Sequence, residues 1–203
     1  MFRLFAAVVL LPAPLCAACP VAGDLDGGIY VTDNDGAFTR FTREGDLIVE
    51  QTEFFETGEA YRYTVARGLF IRSYADVVDD APVEDTQEAY GYSRDPGTAE
   101  IGENALWQTR LIVTFADGSD PVTENYTFSS GTARDVAIGA CNYRAIPVAH
   151  TTLRRDEGSF IFVQNYLTDL GIAVATGYYD IPGGFSFTPY RSIEISTERP
   201  NGP

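Results

Sequence analysis

Trp107-Gln108-Thr109-Arg110-Leu111-Ile112-Val113-Thr114-Phe115 is the stretch on which the reading of the fold turns. Trp107, Thr109, Leu111, Val113 and Phe115 alternate with Gln108, Arg110 and Thr114. Successive side chains of an extended chain point to opposite faces, so a period of two marks a strand with one face in a core and one in water. The same period recurs where Tyr61, Tyr63 and Val65 alternate with Arg62 and Thr64, and where Ile193 and Ile195 alternate with Ser192, Glu194 and Ser196. Val, Ile, Thr, Tyr and Phe dominate these runs, as a pleated, half-buried surface requires.

Outward from these runs, turn signals fall between them at a matching spacing. Asp35-Gly36, Glu44-Gly45, Thr57-Gly58 and Arg67-Gly68 divide the first half, and Asp117-Gly118, Ser130-Gly131, Glu157-Gly158, Leu170-Gly171 and Gly183-Gly184 the second. No long segment has helical periodicity. The chain therefore reads as all-β, an antiparallel meander of roughly ten to twelve strands forming a barrel or a sandwich. The pattern fails over residues 79–104, where Asp79-Asp80-Ala81-Pro82-Val83-Glu84-Asp85 is acidic and Arg94-Asp95-Pro96-Gly97 is a turn. A long acidic loop is expected there, with room for a short strand at Tyr90 and Tyr92. Tyr61–Ile71 and Asn165–Val174 echo one another as a tyrosine-bearing strand, a glycine turn and an apolar strand.

The beginning of the chain reads as a targeting segment. Arg3 precedes an apolar run from Leu4 to Leu15, and Cys16-Ala17-Ala18 supplies small residues for cleavage. Residues 1–18 are expected to be a signal peptide and 19–203 a single β-rich domain. The run is too short for a membrane span, which needs about 20 apolar residues, and no later segment is an integral membrane candidate. Export to the periplasm or outside the cell leaves Cys19 and Cys141 in an oxidising space, where an even count reads as one disulfide. A second reading makes Cys19 the lipid-bearing residue of a lipoprotein, although Leu15 stands four residues before it and Pro20 follows directly.

Charge and missing residues remove several functions. The formal net charge is −15, and all fourteen basic side chains are arginine. Acidity of this size disfavours nucleic acid and anionic membranes as partners. Without lysine there is no phosphate-binding P-loop, Schiff base or Ser–Lys dyad. Asp24-Leu25-Asp26-Gly27 and Asp33-Asn34-Asp35-Gly36 lack the spacing of a calcium loop, and neither metal nor cofactor is implied. His150, the one histidine, is in phase with Ile146 and Val148 and reads as a packed residue rather than a base.

What remains is aromatic richness: twelve Tyr, thirteen Phe and one Trp. Tyr61 with Tyr63, and Tyr90 with Tyr92, each place two rings on one face of a strand. With Trp107 they are the candidate ligand-binding residues, since rings facing a barrel interior make an apolar pocket with hydroxyl handles. Gly28-Ile29-Tyr30 resembles the Gly-x-Trp opening of lipocalin-type barrels, with tyrosine for the tryptophan; three residues assign no family. The leading expectation is a non-enzymatic secreted or periplasmic β-domain that binds an apolar small molecule or an envelope protein. A carboxylate-based hydrolase and a structural or protein-interaction module are the alternatives.

Overall fold

A computed structural model describes residues 18–154, 158–180 and 186–201 of the chain. Most of the expected signal segment, residues 1–17, lies outside them. Strands β1 (Ile29–Asp33), β2 (Ala37–Glu44), β3 (Leu47–Phe54), β4 (Ala60–Ala66) and β5 (Phe70–Val78) form the first half of the meander. A two-residue β6 (Ala81–Pro82) and then β7 (Glu88–Tyr92), β8 (Leu106–Phe115) and β9 (Val122–Ser130) follow. The rest comprises β10 (Arg134–Ile138), β11 (Cys141–Arg154), β12 (Gly158–Leu167), β13 (Ile172–Asp180), β14 (Ser186–Pro189) and β15 (Ser192–Ser196). The result is a nearly closed, barrel-like antiparallel sheet of twelve strands, to which short segments bring the total to fifteen.

In β8 the alternation read from sequence is the alternation of burial. Trp107, Leu111 and Val113 are buried, whereas Gln108, Arg110, Ile112 and Thr114 are exposed. Hairpin turns fall where glycine permits a left-handed backbone. Gly68 is the clearest case: its φ is +67°, and a Cβ there would lie 2.0 Å from the carbonyl oxygen of Gly171. The two turns of the internal echo therefore meet backbone to backbone at one end of the barrel, and only glycine fits the contact.

Closure depends on the last described segment. β14 pairs with β13, Gly177 opposite Pro189, and β15 pairs with β1, Val31 opposite Ile195. Between them the Tyr190 N–H donates to the Thr176 carbonyl and the Asn34 N–H to the Arg191 carbonyl. One extended segment thus links the two edges of the sheet and removes most of its unpaired rim. β11 changes partner along its length, with β10 on Cys141–Ala145 and β9 on Val148–Leu153. Pro147 sits in the gap between these ladders, where no N–H is required of it.

The N-terminal segment closes one end. Cys19 and Cys141 are disulfide-bonded with Cα atoms 5.6 Å apart, and the Tyr143 hydroxyl donates to the Pro20 carbonyl at 3.1 Å. A 3₁₀ turn, Ala22–Asp26, then inserts the fully buried Leu25 among Ile29, Ile48, Val65, Leu167 and Ile172.

Segment 79–104, expected as an acidic loop, is tied into the sheet. β7 lies between β5 and β8, pairing Tyr74 with Glu88 and Tyr90 with Val113, so the short strand at Tyr90 and Tyr92 is present. The Arg67 guanidinium donates to the carbonyls of Pro96, Gly97 and Ala99, and Pro96 is fully buried. The acidic composition concealed this order because the anchoring groups, a proline ring and an arginine from a distant turn, carry no local period.

Candidate functional site

Antiparallel pairing fixes which side chains meet inside the barrel, since residues directly opposite share a face. Phe41 faces Glu50, Glu50 faces Tyr63, Tyr63 faces Tyr74, Tyr74 faces Glu88 and Glu88 faces Phe115. One row of rings and carboxylates therefore runs from β2 across to β8. Next to it, Thr39, Thr52 and Tyr61 form a second row, with the two threonine hydroxyls bonded at 2.8 Å.

All of these residues except Tyr74 line a cavity of about 360 Å³ in the barrel interior. Tyr61, Tyr63, Tyr90 and Tyr92, all singled out from sequence, line it. Glu50, Glu88 and Glu124 line it as well, while the facing wall from β11 to β13 contributes Thr152, Phe160, Phe162, Gln164 and Ala175. Tyr61 and Tyr63 meet edge to face with centroids 5.5 Å apart, and Tyr74 lies 5.1 Å from Tyr63.

Trp107 is placed differently. It packs beneath the cavity, 5% exposed, edge-on to Phe70 at 5.4 Å and tilted against Tyr92 at 5.9 Å. Phe128 stands 5.4 Å from the same Phe70 ring, which is fully buried. Trp107, Phe70 and Phe128 make a floor on which the cavity rests.

His150 joins floor and cavity. Its Nδ1 is hydrogen-bonded to the Tyr126 hydroxyl, and its ring lies 5.5 Å from Phe128. Burial pushes its pKa down to about 4, against a smaller opposing contribution from Gln164, so the imidazole is neutral at physiological pH. That is the packed histidine expected from its phase on the strand.

Electrostatics inside the cavity are acidic and weakly solvated. Burial pushes Glu50 up to about 8; its remaining exposure is to the cavity. Desolvation raises Tyr61, Tyr63, Tyr90 and Tyr92, with nearby carboxylates adding to the effect. Tyr63 feels both Glu50 and Glu88, and Tyr90 both Glu88 and Glu124, so the tyrosines link the three carboxylates in series. Tyr90 also donates its hydroxyl proton to Glu88.

The carboxylates are the part that sequence reasoning missed. A signal existed: Glu88 is in phase with Tyr90 and Tyr92, and Glu124 with Tyr126 and Phe128, so each acid shares a face with rings. Among the described residues no group of three or more His, Cys, Asp or Glu has a metal-holding arrangement. No helix among them is long and apolar enough to cross a membrane.

Fold and site together define an antiparallel β-barrel with an aromatic-walled internal cavity. No family model matches the chain, and no curated protein matches it. Among solved structures it is similar to that of the hypothetical lipoprotein YmcC from Escherichia coli (K12), at 12% sequence identity over 82% of this chain and 86% of that one, with a TM-score of 0.42.

Proposed function

We propose that this chain is a non-enzymatic binding protein of the cell envelope or secreted space that holds one small, mainly apolar molecule inside its barrel. The observation that carries the reading is the cavity of about 360 Å³ walled by Tyr61, Tyr63, Tyr90, Tyr92, Phe160 and Phe162. Concave sites of this size with a few convergent polar groups are the usual form of a small-molecule pocket. The Cys19–Cys141 bridge supports an oxidising compartment, as does the signal-like start of the chain. A cysteine sulfur held in a disulfide cannot also carry a thioether-linked lipid, which favours a soluble exported form over anchoring through Cys19.

The test is a titration with the neutral fluorescent probe N-phenylnaphthylamine. Saturable enhancement at one site, in the micromolar range, is expected of the folded protein. Tyr61→Ala and Tyr63→Ala should weaken it while the fold persists. Unsaturable or absent enhancement by folded protein contradicts the reading.

A further inference from the structure

The cavity is asymmetric in charge, and this narrows what it can hold. Among the described residues, three carboxylates line it and no arginine does; its one histidine is neutral. The Glu50 carboxyl group makes no hydrogen bond or ion pair among the described residues. Its neighbours across the strands are the Phe41 and Tyr63 rings. A second group is also without a partner: the Thr152 hydroxyl, on a residue 5% exposed that faces the same space. Buried polar groups left in this state cost free energy that a hydrogen-bonding or charged occupant recovers.

On the reading that the cavity binds a small molecule, we infer that the occupant is cationic, a protonated amine on an apolar body. Its ammonium group would sit between Glu50, Glu88 and the rings of Tyr61, Tyr63 and Tyr90.

The physical case has three parts. An ammonium beside Glu50 supplies the counter-charge that a desolvated carboxylate lacks, and it favours the ionised form of that acid. Tyrosine faces attract a cation through the ring quadrupole, and the attraction grows as water is removed. The apolar body then lies against Phe115, Phe160, Phe162 and Ala175, where its burial adds the hydrophobic contribution. A fatty acid of equal length gains the last part only and brings a further negative charge to the carboxylates. The chain's net charge of −15 also raises the local concentration of cations at its surface.

The experiment is displacement of N-phenylnaphthylamine near neutral pH by decylammonium, decanol and decanoate, which share one chain length and differ in charge. Decylammonium is expected to displace the probe at about tenfold lower concentration than decanol, with decanoate the weakest. Glu50→Gln, which keeps shape but cannot ionise beside the ammonium, should bring decylammonium to within about twofold of decanol while probe binding persists. Glu88→Gln should act in the same direction and guards against a folding defect in the first variant. Probe binding with decanol or decanoate equal to decylammonium overturns the inference and leaves the binding reading standing. Absence of both probe binding and calorimetric decylammonium binding overturns the two together.

Discussion

The barrel interior has two levels, both rich in aromatic rings. On the lower level Phe70, Trp107 and Phe128 are at most 5% exposed, with Trp107 and Phe128 both packed against Phe70. On the upper level Tyr61, Tyr63 and Tyr90 surround empty space and share it with Glu50 and Glu88. Ring type separates them: phenylalanine and indole rings fill the floor with close contacts, whereas tyrosines reach past it with hydroxyls that stay near polar groups. An aromatic face is therefore core or pocket according to its height along the barrel axis.

The largest expected effect comes from the floor. Phe70→Ala should cost about 3–5 kcal/mol in chemical denaturation, because it removes a fully buried ring and leaves a hole its neighbours cannot fill. A loss near that expected of a cavity residue would erase the distinction between the levels.

Next is the end closed by the N-terminal segment. Cys141→Ala should lower stability by about 2–4 kcal/mol, since the bridge closes a span of 122 residues and holds Leu25 in place. Thiol labelling of the unreduced wild-type protein should find Cys19 and Cys141 unreactive. A free thiol in properly exported protein would contradict the bridge.

Glu50 sharpens the comparison through pH. Its carboxyl titrates near 4.5 when unfolded and about 8 when folded, so the native state holds the proton over that interval. Its contribution to stability is complete below pH 4.5 and is lost as pH rises toward 8. Glu50→Gln should abolish this loss, opening a gap over wild type that widens as pH rises across the interval. His150 acts with the opposite sign: its neutral form stabilises above its ordinary pKa of 6.5, and that stability is lost on acidification through about 4. Comparing variant with wild type at each pH isolates Glu50. A flat difference would place its carboxyl in water.

The smallest stability effect belongs to the cavity wall. Tyr63→Ala should cost only about 1–2 kcal/mol, below the range of a core ring, while weakening probe binding substantially. A full core-sized loss would make Tyr63 part of the packing.

Strand identity was legible wherever the period of two was unbroken, as in β8, and turns such as those at Gly36, Gly45, Gly68 and Gly171 followed the glycines, while the expected turn at Gly183-Gly184 lies outside the described residues. Four of the five candidate ring residues, Tyr61, Tyr63, Tyr90 and Tyr92, face the cavity. Trp107 shares their interior face but not their level, because phase along a strand gives the side of the sheet and says nothing of depth along the axis. Closure through residues 186–196 was not legible either, since it pairs the end of the chain with β1 across most of its length. The acids were hidden by an expectation that carboxylates face water; only their phase with the tyrosines betrays them.

The central claim, an open cavity above a packed floor, is tested most directly by filling it. Ala175 lines the cavity opposite the tyrosine wall, where Gln164 is its partner across the strands. Ala175→Phe should therefore place its ring in empty space. The account predicts unchanged or slightly raised stability together with at least about tenfold weaker N-phenylnaphthylamine binding. If the space is already filled by side chains, the same substitution overpacks it. A loss of about 1–3 kcal/mol in denaturation would then contradict the account.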